Sequence, residues 1–341
     1  MELDLNKVKF TNANGEISVN VKIDFPENLY KYYCIDKNSN SSLKNSSLFF
    51  SHAHLLNDVM DGNFSLWNLD EHIEKYKRET KNTSDTLTLI RSHLIQLINP
   101  ILQYRGILSL TDCYKNELFW VHYTKDLGYC IQMNTQELDN FLREKYKSKV
   151  LFFPINYGEL KSINFHEKVI YETDGEYQSI DAKIPICYSF SVKDKFWNYE
   201  NEWRFFLNHE DFEHISNPLE IISDELKKVE LDNLSKRNIK INNEIIEKVI
   251  LALYFFNNDR FNKIEVDNQL NEIFWFKVDT CEYESLYNFL TTLKVQYNNR
   301  IEQIDKVLNY ENNIVQRKLQ FKVQILELTK EFVKIKRTII E

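Results

Sequence analysis

Six glycines in 341 residues set the tightest limit on this chain: Gly15, Gly62, Gly106, Gly128, Gly158 and Gly175, no two within fifteen residues of each other. Loops that aim several backbone amides at a phosphate or an oxyanion need clustered glycines, because only a residue without a Cβ lets the backbone come that close. A Walker A loop, a kinase-type phosphate flap, a dinucleotide fingerprint and a nucleophile elbow are therefore excluded. Any nucleotide has to be held by side chains. Glycine and proline together make up 11 of 341 residues, about 3% against a usual ~12%. Apolar residues at 43% and charged residues at 28% are those of an ordinary globular chain, long enough for one large domain or two.

The start, Met1-Glu2-Leu3-Asp4, is acidic where a signal peptide needs a basic end and an apolar run, and no stretch approaches ~18 uninterrupted apolar residues. A cytoplasmic protein without membrane contact is expected. Cys34, Cys113, Cys130, Cys187 and Cys281 are odd in number and widely spaced, which fits reduced, mostly buried thiols and neither a zinc knuckle nor a disulfide framework. The net charge of −8 opposes nonspecific polyanion binding, yet residues 315–340 carry seven Lys/Arg against two Asp/Glu. This basic end predicts a helix face packed on an acidic body, or an arm that meets nucleic acid.

Residues 6–25 alternate apolar and polar on both sides of Asn12-Ala13-Asn14-Gly15, the pattern of a hairpin with an Asn-Gly turn, and Pro26 ends it. Strands are predicted at 29–34 and 47–51, with a short helix in the polar stretch between them. Helical spacing follows from Leu66 to Tyr104. Further strands are expected at 106–110, 117–123, 129–133, 149–155, 187–190, 197–207 and 248–256, with a helix at 135–147. Beyond Pro218 there is no proline and beyond Gly175 no glycine, and apolar residues from Leu286 to Val333 recur at three- and four-residue steps. The expected fold is α+β, with small mixed or antiparallel sheets and flanking helices over 1–280. A helical hairpin over 281–341 would meet a partner protein or a second copy of the chain.

Three constellations carry candidate chemistry. In Phe196-Trp197-Asn198-Tyr199-Glu200-Asn201-Glu202-Trp203-Arg204, strand alternation puts Glu200, Glu202 and Arg204 on one face. A Glu-x-Glu pair suits glycosyl transfer, one carboxylate stabilising an oxocarbenium-like transition state and the other orienting the acceptor. In Phe119-Trp120-Val121-His122-Tyr123-Thr124, read as a strand, Trp120, His122 and Thr124 project together, and His122 could move a proton. In Ser51-His52-Ala53-His54 the two rings point the same way, and Asp58 or Asp61 could join them around a metal. No further ligand set stands at the right spacing, so no metal is expected; Asn57-Asp58 fits a turn, and Ser51 a ligand-facing place.

Taken together, Leu29-Tyr30-Lys31-Tyr32, Leu48-Phe49-Phe50-Ser51 through Asn57-Asp58, Gly106 to Leu110, Phe119-Trp120-Val121-His122-Tyr123 with Gly128 to Ile131, and Trp197 to Arg204 resemble a bacterial domain-of-unknown-function family, number 2971, akin to abortive-infection proteins. The chain departs from it at Leu56-Asn57-Asp58-Val59, where the family continues Phe-Asn-Asp-Pro, and at Tyr33, where an arginine is expected. The family's layout is similar to ADP-ribosyltransferases. That likeness implies a split sheet gripping NAD and an effector of defence or toxin type that modifies a protein or nucleic-acid target. Glu202 would then stabilise the oxocarbenium ion, and Glu200 or His122 would orient the acceptor. Lys31, Tyr32, Ser51, His52, Tyr123 and Arg204 would hold NAD. The competing reading is a non-enzymatic binding module of an antiphage or toxin–antitoxin system.

Overall fold

The computed structural model describes residues 2–13, 15–52, 55–58, 60–63, 66–68, 74, 105–125, 127–163, 183–209, 212, 235–256, 261–267, 272–278, 283–308 and 316–340. The chain opens with β1 (Glu2–Asp4), β2 (Val8–Ala13) and β3 (Glu16–Val21), an antiparallel sheet. Ala13 pairs with Glu16 and Gly15 takes φ 84°, the geometry an Asn-Gly turn predicts. β4 (Asn28–Tyr33), α1 (Lys37–Lys44) and β5 (Ser47–Phe49) come next. A capping box starts α1: Asp36 accepts from the Ser39 amide at 2.8 Å and Ser39 Oγ accepts from the Asp36 amide at 3.0 Å.

The middle of the chain holds β6 (Arg105–Thr111), α2 (Glu117–Thr124), β7 (Tyr129–Asn134), α3 (Thr135–Tyr146), β8 (Val150–Pro154), β9 (Asn156–Gly158), α4 (Lys183–Ser189), β10 (Val192–Asp194) and β11 (Glu202–Asn208). After β12 (Asn238–Lys240) come β13 (Ile246–Leu251), β14 (Phe261–Asp267), β15 (Glu272–Val278), α5 (Tyr283–Thr292), β16 (Ile301–Leu308), β17 (Gln316–Leu328) and β18 (Phe332–Ile339). The fold is mixed α+β. Among the described residues no helix is long and apolar enough to cross a membrane. Cys34, Cys113, Cys130 and Cys187 are free thiols, the last two buried.

Two compact units are interleaved along the chain. The first takes Met1–Phe25, Phe49–Leu110 and Asp139–Ile239; the second takes Pro26–Leu48, Thr111–Leu138 and Lys240–Glu341. In the first, β6, β11 and β8 lie side by side, β10 pairs parallel with β9, and the β1–β3 sheet completes the strands. Its core joins Val8, Phe10, Ile107, Phe153, Ile186, Phe190 and Phe206. In the second, the strand order is β14-β15-β18-β17-β16-β13-β7-β4, antiparallel throughout except for the parallel pair β13–β16. Tyr30, Trp120, Cys130, Ile250 and Ala252 pack together there.

The structure corrects several expected elements. The helical hairpin over 281–341 is not formed: α5 and one π-helical turn (Leu293–Tyr297) give way to three strands. Phe321, Val323 and Ile325, then Val333 and Ile335, are buried at every second position, so the period is two. The seven basic residues near the carboxyl end therefore ride on β17, β18 and their turn rather than on a helix. The stretch 117–123 is the helix α2, capped by Asn116, whose Oδ1 accepts from the Leu118 amide at 3.0 Å. The strand expected at 187–190 falls in α4, and 197–207 divides into a 3-10 turn (Lys195–Glu200) and β11. The strand expected to run to 256 stops at Leu251. The helices expected between 66 and 104 lie almost wholly outside the described residues.

Candidate functional site

Five charged side chains meet inside the first unit. Glu202 and Arg204 stand two apart on β11, so the pleat turns both to the same face. Glu200 reaches them by another route than strand alternation. It ends the 3-10 turn, Asn201 then adopts φ 42°, and this left-handed step turns the chain into β11. Asp194 starts that 3-10 turn by accepting from the Phe196 amide at 3.0 Å. Lys193 comes from β10, opposite Tyr157 of β9, and Asp61 from the turn after Asp58, whose Oδ1 accepts from the Met60 amide at 2.9 Å.

Arg204 uses all five of its donors. Nη1 and Nη2 donate to the two Asp61 oxygens at 2.6 and 2.8 Å, Nε and Nη2 to the two Glu202 oxygens at 2.6 and 3.0 Å, and Nη1 also to the Phe190 carbonyl at 3.0 Å. Lys193 Nζ stands 2.8 Å from both Glu200 and Glu202, 3.9 Å from Asp61, and 5.3 Å from the centre of the Trp197 ring. All five residues are buried, Arg204 at 0% exposure. Tyr157 braces the strand by accepting from the Glu202 amide at 2.9 Å, and burial pushes its hydroxyl far above the usual tyrosine range.

Burial alone would raise the Glu202 carboxyl, but Arg204 and Lys193 outweigh it and hold the group at about 2. For Asp61 burial wins over Arg204, and its carboxyl is raised. Burial also works against the charge on Lys193, yet Glu202, Asp61 and Glu200 keep its ammonium group raised. The cluster holds three carboxylates against two cations, one negative charge in surplus.

The sequence-predicted residues divide between the two units. Glu200, Glu202 and Arg204 come together in the first, with Lys193, which sequence reasoning passed over, and Asp61, which it considered only for a metal. The apolar run Ile184 to Val192 immediately before Lys193 was the available signal of a buried lysine. Ser51 and His52 also belong to the first unit: Ser51 exchanges backbone bonds with Ile107 at 2.8 and 2.9 Å, and His52 is buried. Among the described residues no group of three or more His, Cys, Asp and Glu is disposed to hold a metal.

Lys31, Tyr32, His122 and Tyr123 lie in the second unit. Because α2 is a helix, His122 faces outward with Leu118 and Val121, while Phe119 and Trp120 turn inward. Tyr32 stacks on Phe119 at 5.0 Å and meets Trp120 edge-on at 4.9 Å, and Phe119 stacks in turn on Tyr123 at 5.2 Å. Tyr32 and Tyr123, both expected to hold NAD, thus each stack on Phe119. Lys31 Nζ lies 5.8 Å from the Tyr33 ring centre.

Residues 119–205 match the model of a family described as "Protein of unknown function (DUF2971)". That stretch carries α2 at one end and the Glu200–Arg204 motif at the other. Comparison with curated proteins and with solved structures gives no match.

Proposed function

We propose that this chain is a non-enzymatic binding module, and that its Tyr-Glu-x-Glu-Trp-Arg motif is a structural lock. The observation that carries this reading is the saturation of Glu202: one oxygen takes Arg204 Nε, the other takes Arg204 Nη2 and Lys193, and the residue is 5% exposed. A carboxylate that stabilises an oxocarbenium ion has to present an oxygen to substrate. A place in an antiphage or toxin–antitoxin system rests on the family resemblance.

A second reading, ADP-ribosyl transfer from NAD, is favoured by the surplus negative charge of the cluster, which suits a cationic nicotinamide ring once a carboxylate is freed. One experiment separates the two. Purified protein is incubated with labelled NAD and cell extract, and nicotinamide release and label transfer are scored for wild type and for Glu202→Gln. The binding module gives neither signal with either protein. Release by wild type that disappears in a folded Glu202→Gln variant reverses the order of the two readings.

A further inference from the structure

A second charged feature of the first unit has no ionic partner among the described residues. Arg105, the first residue of β6, lines a cavity of about 190 Å³ together with Ser148, Lys149, Lys183, Phe206 and Asn208. Phe206 and Asn208 continue the same face of β11 that carries Glu202 and Arg204. The Arg105 guanidinium sits 5.7 Å from the Phe206 ring centre, and its Nε is buried without a hydrogen-bond partner. Among the described residues its side chain forms no ion pair.

The neighbours do not supply the missing anion. Cys187 borders the same cavity, and burial pushes its thiol up to about 12, so it stays protonated beside Arg105. Glu16, the cavity's acidic lining residue, is exposed on β3. Lys183 lies inside the cavity wall with its Nζ 2.5 Å from the Gly15 carbonyl, and Lys149 and Ser148 are exposed at the rim. Arg237 adds a further cation behind the wall, its Nη1 2.8 Å from the Arg105 carbonyl. Arg105 is half-buried, and its Nε is a buried donor left unmet; such a donor is costly, and a bound anion removes that cost. Nothing in this depends on whether the Glu202 cluster is a lock or a catalytic site.

We infer that the cavity framed by Arg105, Lys149 and Lys183 binds a small oxyanion of the phosphate class, with Arg105 as its planar anchor. The volume suits a phosphate group, either free or at the end of a phosphomonoester, and the Arg105 fork matches its oxygens. Calorimetric titration of the whole chain with inorganic phosphate, phenyl phosphate and chloride at constant ionic strength tests this. Saturable binding of phosphate and none of chloride is expected; equal binding of phenyl phosphate assigns the cavity to phosphomonoesters, and its failure to bind assigns it to the free ion.

Arg105→Met should weaken phosphate more than about tenfold. Lys149→Ala, at an exposed position that leaves the fold intact, should weaken phosphate about two- to fivefold. No saturable phosphate binding by the wild type, or binding that survives both substitutions, overturns the assignment.

Discussion

Arg204 shows how one residue can organise a region. Its fork closes on Asp61, Glu202 and the Phe190 carbonyl at once, so the turn after Asp58, the end of α4 and strand β11 are fixed by a single guanidinium. Such a network is specific more than it is stabilising, since desolvating five charges offsets most of their mutual attraction. Its pH response follows from the direction of the Glu202 shift. The folded-state carboxyl lies at about 2 against an ordinary 4.5, so its contribution is complete above pH 4.5 and is lost as the pH falls through about 2. The shift corresponds to about 3 kcal/mol. Denaturant midpoints of the wild type should fall across that window, and Glu202→Gln should flatten the fall; equal slopes in the two proteins would remove Glu202 as the cause.

At the scale of elements, the β17–β18 hairpin explains why the carboxyl end reads as helix. Its turn contains no glycine or proline. Thr329 Oγ1 accepts instead from the Glu331 and Phe332 amides at 3.2 and 3.1 Å, and the Thr329 amide donates to the Phe332 carbonyl at 2.9 Å. Thr329→Ala should cost about 1 kcal/mol, seen as faster amide exchange along β17 and β18 with the rest of the protein unchanged. Where turn chemistry is overt, the sequence is readable: the Asn-Gly hairpin, the short helix α1 and the strands β4, β7 and β8 stand where their patterns predict. It misled at α2, whose aromatic residues have strand propensity and only a weak helical stripe, because tertiary packing of Phe119 and Trp120 decides the conformation. The constraint at Gly128 is tertiary: a Cβ there would collide with the Tyr33 carbonyl. In the site, strand alternation accounts for Glu202 and Arg204 alone, while Glu200 joins them through the 3-10 turn and the left-handed Asn201. Lys193 and Asp61 reach the same point through chain folding, which no local pattern encodes.

At the scale of the whole molecule, residues 281–341 are not an appendage. β16 pairs parallel with β13 and antiparallel with β17, and Ile301, Val323 and Ile335 are buried in the second unit. A chain ending at residue 280 should therefore lose the ordered β-sheet of that unit, measured by far-ultraviolet circular dichroism and by the loss of a cooperative unfolding transition. A truncated protein that unfolds cooperatively with its β4–β7–β13 strands protected would show that the last three strands are dispensable.

The interleaving of the units also bears on synthesis. Every segment of the first unit has left the ribosome once Ile239 has emerged, while the second still waits for strands as late as β18. Its early pieces, Pro26–Leu48 and Thr111–Leu138, carry β4 and β7, which pair with each other, but the other edge of β7 stays open until β13 is made. The nascent chain therefore passes through an interval in which every segment of the first unit is available while the sheet of the second ends at an open β7 edge, a window in which a chaperone has most to protect.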